Sequence, residues 1–542
     1  MIPRSIAIVG AGPRGISITE RIAAHLRANP GSEPVPLHII DDAQIGAGRV
    51  WDTRQTQTLC MNNLAGAVTL FTEPGASVTG PVFEGPTMYE WIDAMRDAPL
   101  PGYEDEIRAT RPESNPSRAL YGEYLRWVWQ IALQQLPPSV ELVEHQARVV
   151  GIRQAEGYDE LELDDGTVIP AHATALATGW VLPKLPDVDA PGVTAVAAGN
   201  PVEQNVDALA PGQTVLVRGL GMGFFDLMAL TTINRGGRFI EDASSPAGLR
   251  YEASGEEPNL VVTSGRGYPY LPKSEYKSLP PTANLERLRA AIEASASTEP
   301  VSFAHDLWPA LARDAYAEYY RTLARVRPDA LHWSLEEILT TIDGADLAAE
   351  LAAAATPDSI LPTVAVLTAV LNGATDEPFD MGYWVDPLAG TDELDADALT
   401  ERIAAGMARD IAEAVAAWDS PLKAGLWAIS AARKPVAIAV ENGRGPREPA
   451  LSQYLAFGQM VGSGPPLFRT RELLALVEVG LATFLGPSPV VTVENGTVDD
   501  GTVSATSGSR TVTVAAITDA FLPGPDVRRA ADPLTQTLLD AG

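Results

Sequence analysis

Two glycine-rich turns, Gly10-Ala-Gly-Pro-Arg-Gly15 and Gly219-Leu-Gly-Met-Gly223, each follow an aliphatic run, and their first glycines stand 209 residues apart. No other stretch constrains the backbone as tightly. Glycine at the first position permits a sharp reversal, glycine at the third lets a pyrophosphate approach the main chain, and a third glycine brings helix and sheet together. The anion would rest on N–H groups at the helix N-terminus, where the macrodipole favours negative charge. One such unit suits any nucleotide binder. Two in one polypeptide let a flavin held by the first be reduced by a nicotinamide held by the second. The expected fold is α/β, with two Rossmann-like dinucleotide-binding domains and a mainly helical insertion.

Around the first turn the element order suits such a domain. Ser5-Ile-Ala-Ile-Val9 is a short strand, and Ile16 to Leu26 has helical apolar spacing. A second strand, Pro36-Leu-His-Ile-Ile40, ends in Asp41, a carboxylate placed to accept hydrogen bonds from an adenosine ribose. The Pro/Gly/Ser run between 30 and 36 accounts for a Gly15 to Asp41 spacing slightly longer than usual. Gly46-Ala-Gly-Arg-Val-Trp51 and Leu59-Cys-Met-Asn-Asn63 read as loops along a flavin, which favours FAD here. Leu120, Tyr124 and Trp127 share one face of a helix capped by Ser117. Strands at 140–143 and 147–152 and a hairpin at Asp165-Gly166 lead to Ala175-Leu-Ala-Thr-Gly179, small residues suited to a chain crossing beside the nucleotide. The candidate FAD contacts are Gly10, Gly12, Pro13, Arg14, Gly15, Asp41, Gly48, Arg49, Trp51, Met61, Asn62, Val149, Thr178 and Gly179.

The second turn follows the strand Gln213-Thr-Val-Leu-Val217 and precedes a helix from Phe224 to Leu230. Position 224 is Phe where the pattern has its third glycine, so either the helix stands further off or Gly223 takes over the close contact. After the strand Arg238-Phe-Ile240 the acid in place is Glu241, and Arg235 and Arg238 lie close by. Arginines there suit a 2′-phosphate through charge-assisted bidentate contacts. The second cofactor is therefore read as NADPH, with Gly219, Gly221, Gly223, Arg235 and Arg238 as its contacts. From about 280 to 480 the chain is Ala-rich, with helical stripes such as Leu307, Leu311, Ala315 and Leu399, Ile403, Met407. This insertion either roofs the active site or supplies a homo-oligomer surface. Short strands at 490–493, 502–503 and 511–514, with Gly496 among them, end at Asp519-Ala-Phe521. The expected division is an FAD-binding domain at 1–205, the first part of an NAD(P)-binding domain at 206–280, the helical insertion at 281–480, and a return to the α/β scaffold at 481–542.

Composition narrows the partners. With Lys+Arg 39 against Asp+Glu 70, the net charge of −31 makes nucleic acid and anionic membrane poor partners. The first strand begins almost at Met1, which leaves no room for a signal peptide and points to the cytoplasm. A single cysteine, Cys60, excludes the dithiol chemistry of flavoprotein disulfide reductases. The six histidines, at 25, 38, 145, 172, 305 and 332, show no pair at metal-ligand spacing, and no metal is expected.

In the order in which they occur, these segments resemble the bacterial FAD/NAD(P)-binding flavoproteins related to class B monooxygenases and amino-acid N-hydroxylases. The residues that carry the resemblance are GAGPRG with Asp41, GAGRVW, LCMNN, SRALYGEYL, ALATG, GLGMGFFD with Arg235-Gly-Gly-Arg-Phe239, Ser264-Gly-Arg-Gly267, Asp386-Pro-Leu388 and Gly464-Pro-Pro466. The resemblance covers nearly the whole chain. It implies FAD in the first unit, NADPH in the second, and a flavin C4a-hydroperoxide as oxidant, with O₂ and a small molecule as co-substrates. It also implies Met61 and Asn62 as the catalytic contacts near the isoalloxazine.

The family's ornithine and lysine hydroxylases carry a lysine in the loop matching 59–71. Here that loop has none, which disfavours a long diamino acid. The expected activity is N-hydroxylation of a small amino acid or amine such as L-aspartate. Hydroxylation of a urate-like ring and a non-catalytic FAD/NAD(P) redox sensor are the alternatives. Relatives return after such strands with a segment that covers the flavin. This chain, ending Leu538-Leu-Asp-Ala-Gly542, reads as stopping short of it.

Overall fold

The computed structural model describes every residue except 1–3, 30, 32, 74, 185–190, 297–299, 348–358, 442–444, 446–447, 495–500 and 542. Gly496 and part of the 30–36 run therefore lie outside the described residues. The chain forms two compact units, neither continuous in sequence: unit 1 holds 1–188, 196–206 and 522–542, and unit 2 holds 189–195 and 207–521. The helical stretch 281–480 thus lies within unit 2, and the last residues belong to unit 1.

Unit 1 is built on four parallel strands in the order β3-β2-β1-β7. These are β1 (Ile6–Val9), β2 (Val35–Ile40), β3 (Val140–His145) and β7 (Ala173–Leu176). Between β3 and β7 lies an antiparallel meander of β4 (Val149–Ala155), β5 (Tyr158–Leu163) and β6 (Val168–Ala171). Strand residues alternate between faces, so each face finds its own cover. Ile8, Leu37 and Ile39 pack with the helix-rich side, where Leu120, Tyr124 and Leu125 of the helix Arg118–Gln134 are fully buried. Ala7, Val9 and Ile40 pack with Leu161, Leu163 and Ile169 of the meander. Ser117 caps its helix by accepting a hydrogen bond from Leu120 N.

Unit 2 repeats this plan. After the short β8 (Thr194–Val196), its sheet runs β13-β12-β9-β17-β8. The strands are β9 (Thr214–Arg218), β12 (Asn259–Ser264), β13 (Ala482–Pro487) and β17 (Ala516–Asp519). A separate hairpin, β10 (Arg238–Glu241) with β11 (Leu249–Glu252), precedes β12. A meander of β14 (Val490–Glu494), β15 (Thr502–Ser507) and β16 (Arg510–Val514) precedes β17. Taken as first, second, third and last parallel strands, β9, β12, β13 and β17 match β1, β2, β3 and β7 in order, direction and position of the meander. The helical layer is inserted between the second and third strands. Its stripes are core: Leu307, Leu311, Ala315, Leu399 and Ile403 are fully buried, and Met407 nearly so.

Residues 522–542 belong to unit 1. Trp180 Nε1 donates to Pro523 O at 2.8 Å, Ala531 N to Leu182 O at 2.9 Å, and Arg148 pairs with Asp532 at 2.9 Å. The helix Pro533–Ala541 then seats Leu534 in the meander core.

Candidate functional site

In unit 1 the first glycine turn is held from three sides. Gly10 N donates to Ile40 O at 2.8 Å, and Gly10 has φ +101°. A Cβ there would lie 2.4 Å from Ala177 O, and one on Gly15 would lie 2.1 Å from Gly10 O. The Ala-Thr-Gly segment therefore does close on the turn, with Ala177 N donating to Val9 O at 2.7 Å and Thr178 and Gly179 exposed beyond it. Asp41 accepts from Ala11 N at 2.6 Å and Ala43 N at 2.8 Å. Its oxygens keep further lone pairs for ribose hydroxyls. Pro13 begins the helix Pro13–Ala28 and Arg14 is exposed in its first turn.

The loop after β2 comes back over the turn. Gly46 N donates to Ala11 O at 3.0 Å, and a Cβ on Gly48, at φ +72°, would stand 3.0 Å from Gly12 Cα. Two glycines thus face each other, and a side chain on Gly48 would press into the turn. Next in this loop, Arg49 pairs at the surface with Glu203 at 2.8 Å. Trp51 packs edge-on against Tyr121. Val149 is buried in the meander core. Leu59 to Asn63 is pinned to the next helix, with Arg118 N donating to Leu59 O at 2.8 Å and Arg118 Nε to Cys60 O at 3.2 Å. Met61 is 2% exposed and packs within the helix-side core, while Asn62 is partly exposed.

The second turn repeats the first at its opening three residues. Gly219 (φ +127°) donates from its N to Thr263 O at 2.7 Å, as Gly10 does to Ile40 O. A Cβ on Gly219 would stand 2.6 Å from Ala520 O, the counterpart of Ala177 O. One on Gly223 would stand 2.7 Å from the same oxygen, a different close approach from that of Gly15, which meets Gly10 O. Gly221 is the N-cap of the helix Met222–Thr231, with φ −94° and ψ −161° against −78° and −163° at Gly12. Neither N-cap makes a side-chain cap and neither first turn holds an acid, which leaves both N-termini suited to phosphate. Arg218 and Asp519 brace the second turn by a bidentate pair at 2.6 and 2.7 Å.

This equivalence moves the ribose end of the second cradle. Asp41 follows the last residue of β2, and the residue with that place in unit 2 is Ser264, the end of β12. The strand that carries Arg238 pairs with β11 and is not in the parallel sheet. Arg238, with a side chain 72% exposed, pairs with Glu252 at 3.0 Å, and Arg235 donates to Glu256 O at 2.9 Å. The cation beside Ser264 is Arg266, half-buried, donating to Val385 O at 2.5 Å. Burial pushes its pKa down from the ordinary value. It forms no ion pair among the described residues. The loop after β12 then crosses the turn as its unit 1 counterpart does: Tyr270 N donates to Leu220 O at 3.3 Å, matching Gly46 N to Ala11 O. Where unit 1 places glycines, unit 2 places the Tyr270 ring, 3.6 Å from where a Cβ on Gly221 would be.

Comparisons with known proteins agree with this geometry. Residues 7–181 match a family described as FAD-NAD(P)-binding. An L-aspartate N-monooxygenase (nitrosuccinate-forming) from Streptomyces davaonensis is 31% identical over 572 residues, covering 99% of this chain and 85% of that protein. The enzyme of the same name from Streptomyces cremeus is 32% identical, covering 99% and 83%. The chain belongs to the flavin-dependent N-monooxygenase family. A nitrosuccinic acid synthase from Aspergillus oryzae, 31% identical over 99% of this chain and 81% of its own length, extends the likeness to a fungus. Among solved structures, an ornithine hydroxylase from Pseudomonas aeruginosa aligns over 100% of this chain and 86% of its own at 11% identity, with a TM-score of 0.42. This N-monooxygenase is an FAD- and NAD(P)-binding oxidoreductase. No helix among the described residues is long and apolar enough to cross a membrane.

Proposed function

We propose that this N-monooxygenase acts on L-aspartate, with FAD in the unit 1 cradle and NADPH in that of unit 2. The observation that carries the reading is the alignment, over 99% of the chain, with relatives named for aspartate oxidation. The loop at 59–71, which lacks a lysine, supports the same choice. When bound and reduced, FAD would supply the electrons that activate O₂, one atom of which goes to the substrate nitrogen and the other to water.

The chain's residues bind and orient. Gly10, Gly12, Gly15 and Gly48 open the first cradle, and Asp41 receives the ribose. Thr178 and Gly179 continue the wall that Ala177 begins. Arg118 fixes Leu59 to Asn63 by its bonds to two carbonyls. Asn62 is the side chain of that loop offered to the isoalloxazine, and buried Met61 supports it by packing. In the second cradle Ser264 and Arg266, rather than Arg235 and Arg238, select the 2′-phosphate: no carboxylate stands at position 264 to repel it, and Arg266 forms no ion pair among the described residues, with Asp386 as its acidic neighbour.

Purified protein supplied with FAD, NADPH and O₂ tests the reading. Aspartate should stimulate NADPH consumption and yield N-oxidised aspartate, such as nitrosuccinate, by mass spectrometry, with ornithine and urate inactive. NADPH consumption stimulated by urate or ornithine but not by aspartate would overturn it.

A further inference from the structure

The segment after β12 is bonded to the helical layer at several points along its path. Tyr268, fully buried, donates from its hydroxyl to Asp410 Oδ2 at 2.7 Å. Asp410, on the helix Ala396–Ala416, is itself 2% exposed. A Cβ on Gly406, one turn away on the same helix, would stand 2.4 Å from that hydroxyl, so glycine is needed for the ring to enter. Lys423, on the helix Pro421–Ala431, is buried and donates from Nζ to Pro272 O at 2.7 Å, with the carboxylates of Asp410 and Glu413 as its charged neighbours. Leu271 N donates to Met460 O, Lys273 N to Pro465 O and Glu275 N to Ala414 O at 2.9–3.1 Å. Gly464 is passed so closely by Leu271 O, 1.7 Å from a Cβ position, that no side chain fits. Gly464-Pro-Pro466 thereby gains a physical reason.

Between the Tyr268 and Lys423 anchors stands Tyr270, the residue whose ring lies against Gly221. A buried ammonium with one carbonyl acceptor is an expensive fastener, and a neutral side chain would fill the space more easily. What the lysine adds is a directed bond to the backbone two residues beyond the ring.

We propose that Lys423 is a positioning residue for nicotinamide-nucleotide binding, acting through the Pro272 carbonyl to hold Tyr270 as the wall of the second cradle. The proposal rests on the assignment of NADPH to unit 2. Released from the helical layer, the segment populates the wall-forming arrangement only part of the time, and apparent affinity falls by that fraction. The layer inserted between the second and third strands therefore serves the nucleotide turn of its own unit.

The test uses FAD-loaded full-length protein and NADPH itself, read by direct binding and by the KM-against-kcat split for flavin reduction. Lys423→Met combined with Asp410→Asn removes the anchor without leaving a lone buried charge. It should raise the NADPH Kd about tenfold while flavin reduction at saturation stays within about twofold, as does Tyr270→Ala. Tyr270→Phe should match wild type, since the ring and not the hydroxyl forms the wall. Joining Tyr270→Ala to the anchor variant should add nothing further, because both act through one ring. Should the paired variant fail to fold, Lys423→Met alone reads the anchor at Pro272, and Tyr268→Phe reads the neighbouring one by loss of one hydroxyl. Additive losses, or an unchanged Kd in the anchor variants, would overturn the proposal. Wild-type protein that does not bind NADPH would instead overturn the cofactor assignment.

Discussion

Replacing one glycine in each turn should separate the two cofactors. At Gly10 and Gly219 the backbone has φ of +101° and +127°, where a non-glycine residue costs about 1–3 kcal/mol. The added methyl would also stand 2.4 and 2.6 Å from backbone carbonyl oxygens just past the ends of the adjoining strands β7 and β17. Overpacking of that kind adds about 1–3 kcal/mol. Together the terms reach about 2–6 kcal/mol, and the turn relieves them by shifting at the expense of its dinucleotide geometry. Taking even the lower end, about 2 kcal/mol is about thirtyfold in affinity. Gly10→Ala should therefore emerge from purification depleted of FAD by absorbance. Gly219→Ala should stay yellow and bleach fully with dithionite, yet need far more NADPH for the same rate of anaerobic bleaching. The reasoning fails if Gly219→Ala sheds FAD while keeping its NADPH response, or if Gly10→Ala holds FAD through dilution as wild type does.

Three further outcomes follow from the same geometry. Ser264→Asp should shift preference from NADPH towards NADH, and Arg266→Gln should raise the KM for NADPH at least about tenfold with little effect on NADH, as expected for loss of a charge-assisted contact; steady-state kinetics with both nucleotides decide it. Burial alone would raise the pKa of Glu257, but bonds from Ser254 N, Tyr251 Oη, Ser254 Oγ and Gly255 N outweigh it and hold the carboxyl at about 2. The stabilisation is thus present above the ordinary 4.5 and lost as pH falls towards 2, so Glu257→Gln should cost about 1–3 kcal/mol at pH 7, with the gap from wild type narrowing in melts taken at pH 5 to 3. Leu534→Ala should destabilise unit 1 by about 2–4 kcal/mol in chemical denaturation, since the buried leucine leaves a cavity in the meander core.

Both βα turns were legible because a strand of aliphatic residues, fixed glycines and a following helix are local signals. Helical stripes such as Leu307, Leu311 and Ala315 were legible for the same reason. Pairing is not local. The strand β10 follows the second turn's helix in sequence, so Arg238 was read as the ribose end; only the sheet order shows that the hairpin stands apart and that Asn259 to Ser264 takes the second place. Ser264 could have been found by asking which later aliphatic run, here Leu-Val-Val, lacked a partner. The return of the last residues was hidden because a short helix with a single fully buried leucine, Leu534, looks like any exposed tail. Met61 shows a different limit: a packed methionine and one facing a cofactor share the same sequence neighbourhood.

The crossing back of residues 522–542 sets an order on synthesis. A ribosome releases the first parallel strand before unit 2 and the helix that seats Leu534 after it, so the N-terminal unit is completed only once the unit encoded in its middle has emerged. A fragment ending near Val188 leaves the meander core uncapped, however natural that boundary looks on a linear map. Expressing unit 1 alone would call for joining its separate segments directly, without the residues of unit 2 that lie between them in sequence.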